Sequence, residues 1–444
     1  MAVIKPFRGV RYNAARVGDL QSVVSQPYDR ISDDLQDRYY ALSPYNIVRI
    51  IQGKTEPGDS SEGPNVYTRA KSFYQDWRAE DVLARDEHPA VYAYEQTFTV
   101  EGKQYVRLGM IAAVKLAEFD EGIILPHERT HAGPKEDRLR LINTLQAHTE
   151  QIFLLYPDAE NRVNALLRQA IGSRQPDLDV EELLESGVRQ RMWAITDEPT
   201  LAAIEAEMDP KRNLIIADGH HRYETALNYR NAQRAAHPDA SPDAAFNYVA
   251  ATLVSMDDPG LVVLPTHREI CNFTTTSPAD VLERAKLYFN AKPVADLPAC
   301  LDALNASGAP HVFGYYGGPD VGFYTLTLQD SALIDRLITS DQSPEWKSLA
   351  VSIAHRILIE QVAGVPVEGV EDKSMLRYHR RAQEAVESVD RGEGNFVFFL
   401  RPTRMDSIKA IAGRGEKMPQ KSTDFYPKMI SGLVLMPLDP GEQV

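Results

Sequence analysis

Hydrophobic and polar positions alternate with two different periods along this chain, and each period predicts its own kind of element. Between residues 64 and 84, aromatic and small apolar side chains recur at helical spacing, which predicts an amphipathic helix. Residues 89–100 and 104–117 instead alternate singly around Glu101-Gly102-Lys103, which predicts a β-hairpin. A second hairpin is predicted at 310–327, where Gly317-Gly318 supplies the turn.

The same patterns divide the rest of the chain into short elements. Further helices are predicted at 31–43, 134–147, 160–172, 198–207, 223–236, 278–289, 346–362 and 381–390. Further strands are predicted at 3–12, 47–51, 214–217, 246–255, 260–264 and 395–401. Because helices and hairpins interleave without a regular βαβ rhythm, the predicted fold class is α+β. We expect a core α+β domain at 1–265 and a second α+β section at 266–444, whose basic C-terminal segment returns to the core site.

Composition narrows the class of protein. The chain has 444 residues and a formal net charge of −15, and an acidic chain disfavours non-specific binding to nucleic acid. No apolar run reaches the roughly 18 residues of a membrane span, and the first residues lack the apolar core of a secretory signal. The two cysteines, Cys271 and Cys300, fit a reducing compartment. We expect a cytoplasmic protein with a small-molecule substrate and no nucleic-acid or membrane partner, and a homo-oligomer stays open.

The strongest local motif is Asp218-Gly219-His220-His221-Arg222, which follows an apolar run and precedes a helical pattern. A turn from a strand into a helix presents free backbone amides, which attract anions. Gly219 permits close approach of the backbone, and Arg222 can bind a phosphate through two parallel hydrogen bonds. Asp218 can hold a metal ion or accept a proton. The motif predicts a phosphate site, and a capped helix with surface histidines is the simpler alternative.

A second motif begins at His127. Residues 127–131 match the zinc-protease pattern H-E-x-x-H, with His131 as the second ligand and Glu150 as a candidate third. That pattern works only on a helix, and Pro134 would break a helix that crosses it. We therefore expect residues 127–131 to lie in a loop and keep a zinc hydrolase as an alternative.

As a loop, the second motif still offers chemistry. It carries the carboxylate of Glu128 and the cations Arg129, Lys135 and Arg138. Lys135 and Arg138 lie three positions apart at a helix start and so share a face, which suits a phosphate. A solvated, charged helix start is the alternative interpretation.

The C-terminal segment 413–428 combines glycines, cations and hydroxyl groups. Its candidate phosphate ligands are Lys417, Lys421, Ser422 and Thr423, and Arg414 and Lys428 are further cations. The composition is typical of a phosphate-binding loop, although the Walker A pattern is absent. A basic tail loop is the alternative.

Five stretches of the chain resemble the DUF1015 family, a domain of unknown function in bacteria and archaea. The stretches are Gln26–Asp29, Ile124–Thr130, Pro134–Arg138, Ile216–Ala226 and Met418–Lys428. They extend over nearly the whole chain, so the resemblance is specific. The family name itself implies no chemistry.

A narrower resemblance does imply chemistry. Residues 217–222 resemble the nucleotide-binding motif of the ParB/sulfiredoxin-like fold, which includes partition proteins that hydrolyse CTP, sulfiredoxin, and kinases of free serine. The resemblance implies a nucleotide-binding core of that fold, elaborated with additional α/β segments. It implies that Asp218, His220, His221 and Arg222 bind phosphates and metal. It also implies a glutamate as the base, for which Glu128 is the candidate.

The expected activity is phosphoryl transfer from ATP, ADP or another phosphate donor to the hydroxyl of a small metabolite, with L-serine favoured. Such a phosphotransferase needs cations and Mg²⁺ around the phosphates and a base for the hydroxyl. The expected catalytic residues are Glu128, His127, Asp218 and His220, with Asp218 also the metal ligand. The expected phosphate ligands are Gly219, His221, Arg222, Arg129, Lys135, Arg138, Lys417, Lys421, Ser422 and Thr423. The alternatives are a ParB-like nucleotide-binding regulatory module without kinase activity and a zinc hydrolase.

Overall fold

The computed structural model describes residues 1–128, 132–184 and 187–444. The described residues form two compact units. Unit 1 draws on Met1–Pro126, Thr130–Val262 and Pro427–Val444, and unit 2 on His127–Arg129 and Val263–Tyr426. The last residues of the chain thus belong to the same unit as its first half. The domain limits expected at 1–265 and 266–444 stay a prediction.

Short strands and helices follow one another along the chain. The strands are β1 (Ile4–Lys5), β2 (Val10–Tyr12), β3 (Leu83–Arg85), β4 (Val91–Val100), β5 (Lys103–Lys115), β6 (Ile124–Leu125), β7 (Ala147–His148), β8 (Ile152–Tyr156), β9 (Leu178–Glu181), β10 (Val188–Ile195), β11 (Leu214–Asp218), β12 (Tyr248–Ser255), β13 (Val262–Val263), β14 (His267–Ile270), β15 (Phe289–Val294), β16 (Val312–Tyr316), β17 (Phe323–Leu328), β18 (Leu376–His379), β19 (Phe396–Phe399), β20 (Phe425–Tyr426) and β21 (Met436–Pro437). The α-helices are α1 (Ala14–Val17), α2 (Asp33–Leu42), α3 (Val48–Ile51), α4 (Val66–Ala79), α5 (Ala132–Leu145), α6 (Arg162–Ile171), α7 (Glu198–Met208), α8 (His220–Ala236), α9 (Pro278–Ala285), α10 (Leu297–Ala306), α11 (Ala332–Leu337), α12 (Pro344–Lys347), α13 (Ala350–Ile353), α14 (Val367–Glu371), α15 (Ala382–Asp390) and α16 (Met405–Gly413). Ala354–Ala363 form a π-helix.

Unit 1 is built around a mixed sheet. Its strand order is β6-β11-β8-β12-β5-β4-β10-β9, and β1 pairs with β5. β11 runs parallel to β6 and β12 parallel to β8, whereas the other pairings of this path are antiparallel. This mixed arrangement of helices and strands fits the predicted α+β class. The ParB/sulfiredoxin-like core stays a prediction.

The two faces of the central sheet differ in polarity. Because successive side chains of a strand point to opposite faces, Leu253 and Met110 enter an apolar core on one face. The opposite face buries polar side chains, among them Gln96, Arg107 and Gln190. The strand register places Gln96 between the other two, opposite Arg107 on β5 and opposite Gln190 on β10.

Two sequence predictions of local structure hold well. The hairpin β4–β5 turns at Glu101 and Gly102, whose φ angles of 50° and 77° suit the tight turn of a two-residue hairpin loop. Helix α4 begins with a capping box at Asn65 and buries Tyr74 and Trp77, as its apolar spacing predicts.

Other predictions were wrong for physical reasons. A strand was predicted at 47–51, but Val48–Ile51 form helix α3, and the side chain of Asn46 accepts a hydrogen bond from the Val48 N–H at 3.0 Å at its start. The helix predicted at 346–362 is broken into α12, α13 and the π-helix. Strand β8 was missed because a short, wholly apolar run has no period that distinguishes a strand from a helix.

Unit 2 has an antiparallel sheet of its own, with the strand order β15-β17-β16-β19-β14-β18. The hairpin predicted at 310–327 is its β16–β17 pair. Helices α10 and α15 bury apolar residues such as Leu304 and Val386 in a core with Val397 of β19. Across both units, none of the described helices combines the length and the apolar character needed to cross a bilayer.

Candidate phosphate site

Strand β11 turns directly into helix α8 at Gly219. The strand ends at Asp218, the helix begins at His220, and Gly219 has a φ of 88°. The helix thus starts three residues before the predicted Tyr223. Because glycine has no side chain, it offers no cap to the first-turn N–H groups of the helix. We call residues 218–222 the junction.

The geometry of the junction requires glycine at position 219. Its positive φ is a conformation that other residues rarely adopt. A Cβ added there would also lie 3.1 Å from Nη2 of Arg222, so the guanidinium lies over the turn. The pairing of β11 with β8 shifts register between Ile216 and Asp218, which is a local bulge that redirects the Asp218 side chain.

The Asp218 carboxylate binds two cations. Arg222 donates from Nη2 to Oδ2 at 2.9 Å, and Lys428 donates from Nζ to Oδ1 at 3.0 Å. Burial raises the pKa of Asp218, but the charges of Lys428 and Arg222 outweigh it and hold that pKa well below its usual range. The carboxylate is therefore ionised at neutral pH and orders one ammonium group and one guanidinium group at the end of β11.

Arg222 is fixed by more than Asp218. Its Nη1 donates to the main-chain oxygen of Gln151 at 2.7 Å. Burial lowers the pKa of Arg222, but the negative charges near it, first Glu150 and then Asp218, together raise that pKa by more. The net shift is therefore upward. The guanidinium therefore stays charged although it is largely removed from water.

The buried carboxylate of Glu150 lies beside the junction. The sequence motifs indicate this residue only as a candidate third zinc ligand. Oε1 of Glu150 accepts hydrogen bonds from the Tyr28 N–H at 3.1 Å and from the Ser431 hydroxyl at 2.9 Å. Its Oε2 lies 3.8 Å from Nη1 of Arg138, whose guanidinium is 4.0 Å from the centroid of the Tyr28 ring. Burial is the main cause that raises the pKa of Tyr28 to about 12. Segment 26–29, one of the five stretches that resemble the DUF1015 family, therefore contributes to this region.

The structure brings the cations of helix α5 to the same region. Lys135 forms an ion pair with Glu224 of α8, and Arg138 donates to the main-chain oxygen of Ile51 at 2.8 Å. Arg138 and Arg222 both line a small cavity of about 40 Å³, together with Glu150. Within unit 1, the junction, Arg138 and Lys428 thus form one charged cluster. Lys428 was absent from the predicted ligands, although the C-terminal motif extends to it.

Other predicted residues that the structure describes belong to unit 2. Nε2 of His127 lies 2.7 Å from the Thr423 hydroxyl, and the Ser422 hydroxyl donates to the Pro419 oxygen at 2.5 Å. The main-chain oxygen of Lys417 accepts a hydrogen bond from the Trp346 indole at 3.0 Å. Two of these contacts tie segment 417–423 to His127 and Trp346 within unit 2, and the phosphate-binding roles expected of Lys417, Ser422 and Thr423 stay predictions.

Glu128 and Lys421 also belong to unit 2. Burial lowers the pKa of Arg268 to about 10, and the negative charge of Glu128 partly opposes that shift. Lys421 is exposed, and its φ is 54°. The phosphate ligand expected at Arg129 and the zinc ligand considered at His131 lie outside the described residues. His127 and Glu128 precede helix α5, as expected for a loop.

The junction fits a Mg²⁺ ion that is held by a single protein carboxylate together with phosphates and water. Among the described residues, no group of three histidine, cysteine or acidic side chains is placed to hold a metal ion. Mg²⁺ is, however, commonly bound by one carboxylate together with substrate phosphates and water. Asp218, ionised at the end of β11, is a suitable single carboxylate for such a site.

The protein thus has a mixed α/β fold. At a strand-to-helix turn it holds a carboxylate, Asp218, that is paired with the two cations Arg222 and Lys428. The chain belongs to the family described as protein of unknown function DUF1015, whose model matches residues 4–352. This membership confirms the resemblance found in the sequence motifs, of which Met418–Lys428 lies beyond the matched residues. The chain has no match among curated proteins.

Several solved structures are similar to this chain. A conserved hypothetical protein from Pyrococcus furiosus is 14% identical, with 74% of this chain and 95% of that chain covered and a TM-score of 0.33. A free serine kinase in complex with AMP is 14% identical, with 71% and 86% covered and a TM-score of 0.33. SbnI with a C-terminal truncation, from Staphylococcus aureus, is 10% identical, with 74% and 87% covered and a TM-score of 0.34.

Proposed function

We propose that this protein transfers a phosphoryl group from a nucleotide, ATP or ADP, to the hydroxyl of a small metabolite, with L-serine favoured. The observation that carries the proposal is the convergence of Asp218, Arg222 and Lys428 on the uncapped start of helix α8. Anionic phosphates are favoured by such a helix start and by cations that are partly removed from water. The sequence resemblance to the motif of free-serine kinases supports the same choice of substrates.

Each residue of the cluster has a task in this proposal. The first-turn amides after Gly219, with His221, Arg222 and Lys428, bind the donor phosphates. Arg138 adds a second guanidinium from helix α5, and Lys135 adds an ammonium group. When bound, Mg²⁺ neutralises charge on the phosphates, and Asp218 is the residue that would hold it.

The transfer itself needs a base for the acceptor hydroxyl. The hydroxyl oxygen attacks the terminal phosphorus, the bond from that phosphorus to the nucleotide oxygen breaks, and the nucleotide leaves with one phosphate fewer. His220, at the first position of α8, is our candidate in unit 1 to take the hydroxyl proton. The expected roles of Glu128 and His127 as base stay predictions.

The direct test is a ³¹P NMR assay of the purified protein with Mg²⁺, L-serine and either ATP or ADP. We expect a signal of O-phosphoserine and one nucleotide product that carries one phosphate fewer than the donor. Nucleotide binding without transfer to serine or to other hydroxyl metabolites would support the regulatory-module alternative. If neither ATP nor ADP binds, the proposal is wrong.

A matched pair of glycine variants links the signal to the junction. Gly219→Ala and Gly122→Ala both place a side chain at a positive φ, 88° and 67° respectively. Only the first brings the new Cβ against the Arg222 guanidinium, because nothing lies within 4 Å of a Cβ at Gly122. We expect transfer to be lost in Gly219→Ala and kept in Gly122→Ala. Equal activity in the two variants would remove the junction from the mechanism.

A further inference from the structure

The C-terminal segment of unit 1 is held by buried side chains of the central sheet and of the residues just before β8. We call residues 427–438 the strap. The Ser431 hydroxyl donates to Glu150 at 2.9 Å, and the Gln151 side chain donates to the Val434 oxygen at 2.6 Å. These contacts fix the middle of the strap, and a separate pair of residues fixes its start.

That pair is Gln96 and Arg107, which lie directly opposite each other in the β4–β5 hairpin. Arg107 donates from Nε to Oε1 of Gln96 at 3.0 Å and from Nη2 to the Pro427 oxygen at 2.5 Å. Gln96 donates from Nε2 to the Lys428 oxygen at 3.2 Å. The two side chains thus hold the main-chain carbonyls of two consecutive residues, and the second of them is the lysine that reaches Asp218.

The surroundings make this arrangement rigid. Gln96 and Arg107 are each only 1% exposed, so water cannot replace the hydrogen bonds that they make. The Arg107 guanidinium also packs 4.9 Å from the centroid of the Phe153 ring. A buried polar pair of this kind is costly unless it is fully hydrogen-bonded, and here the strap carbonyls complete it.

We propose that Gln96 and Arg107 are positioning residues, which set the place of the Lys428 ammonium against Asp218 and thereby the affinity of the junction for phosphate. The inference rests on the proposed function for its consequence in nucleotide binding. Its geometric part, the placement of Lys428, is independent of any ligand. Both residues hold main-chain oxygens at the start of the strap, and they act on Lys428 through it.

Gln96→Glu is the sharpest variant. It keeps the oxygen that accepts from Arg107 but removes the amide that donates to the Lys428 carbonyl. Asn247→Asp is the matched control, because Asn247 accepts from Arg234 at 2.7 Å and donates to the carbonyls of Ser241 and Pro242, away from the strap. Arg107→Lys serves as a second variant if Gln96→Glu does not fold. A lysine ammonium group lacks the planar set of donors with which Arg107 bonds both Gln96 and the Pro427 oxygen.

Two readouts separate the geometric part from the functional part. The first is the rate at which acetic anhydride labels Lys428 in the ligand-free protein, followed by mass spectrometry. We expect labelling about threefold faster in Gln96→Glu than in wild type or Asn247→Asp, because the ion pair that shields the amine is loosened. Unchanged labelling would overturn the inference.

The second readout is the Kd for ADP with Mg²⁺, measured by calorimetry. We expect Gln96→Glu to weaken binding about fivefold and Asn247→Asp to leave it unchanged. In a Lys428→Met background, Gln96→Glu should cause no further loss, because it acts through that lysine. An equal loss in both backgrounds, or faster labelling with unchanged Kd, overturns the role in affinity. If wild type binds neither ADP nor ATP, the proposed function fails, and the labelling rate alone decides whether the pair positions Lys428.

Discussion

Two buried arginines, one in each unit, hold parts of the C-terminal region. Arg107 in unit 1 and Arg268 in unit 2 are each 1% exposed, and burial lowers the pKa of each to about 10. Arg107 donates to the oxygen of Pro427 at 2.5 Å, and Arg268 donates to the oxygen of Lys421 at 2.8 Å. A guanidinium has several N–H donors, so it can satisfy main-chain oxygens of irregular segments that no strand or helix pairs with.

The two arginines differ in the side chain that accompanies them. Arg107 is paired with the amide of Gln96, which does not titrate. Nε of Arg268 lies 3.4 Å from Nε2 of His355, whose pKa is lowered to about 3, first by burial and then by the arginine. The unit 1 arrangement should therefore be insensitive to pH near neutrality, whereas the unit 2 arrangement requires a histidine to stay neutral.

The largest expected effect is on stability. Arg107→Met and Arg268→Met each leave a main-chain carbonyl without its donor in a dry environment, and we expect each to lower the free energy of unfolding by about 3 kcal/mol. Urea denaturation, fitted separately for each transition, measures the loss. A loss below about 1 kcal/mol for either variant would break the parallel between the arginines.

The next effect concerns catalysis in unit 1. Asp218→Asn removes the charge that orders Arg222 and Lys428, and we expect phosphoryl transfer to fall about a hundredfold. Steady-state kcat and KM with the donor nucleotide measure this loss. Arg162→Gln, at an exposed ion pair with Glu160, is the control and should retain activity. Comparable rates for Asp218→Asn and wild type would remove Asp218 from the reaction.

Acid should distinguish the two units. Burial lowers the pKa values of His267 and His355 in unit 2 to about 3, and that of His148 in unit 1 to about 4. All three lie below the unfolded value of about 6.5, so the unfolded chain binds more protons and stability falls as pH drops below about 6.5. At pH 5 we expect roughly 2 kcal/mol of destabilisation per histidine.

Because unit 2 contains two of these histidines and unit 1 contains one, we expect acid to destabilise unit 2 more than unit 1. Thermal unfolding at pH 7 and pH 5 measures this difference. His355→Gln should flatten the pH dependence of unit 2. A pH dependence that stays unchanged in that variant would contradict the assignment of His355.

The smallest expected effect separates the two lysines of the C-terminal motif. Lys421 is exposed, so its charge is screened by salt, and Lys421→Ala should weaken ADP binding about twofold at low salt and less at high salt. Lys428→Ala should weaken ADP binding about tenfold and depend less on salt, since the Lys428 side chain is only 13% exposed in its ion pair with Asp218. Titrations at two salt concentrations measure both values, and equal losses would contradict the distinction.

The sequence by itself determined the local elements of the junction. The apolar run of β11, the glycine after it and the amphipathic pattern of α8 depend on neighbours within a few residues, so periodicity and turn chemistry predict them. The same short-range information predicted the hairpin β4–β5 and helix α4. It failed at β8, whose wholly apolar run has no period that distinguishes a strand from a helix, and at residues 48–51, where the Asn46 side chain accepts from the Val48 N–H at the start of a short helix. It also failed in the π-helix.

Only the tertiary structure decided which side chains meet at the junction. Lys428 and Asp218 are 210 residues apart in the sequence, and Gln96 and Lys428 are 332 apart. Glu150 meets Ser431 across 281 residues. No period or local propensity encodes such contacts, because they arise from the register of the sheet and from the path of the strap over its polar face. The sequence therefore determined the cations and the turn, and the folded chain determined which cation binds which carboxylate.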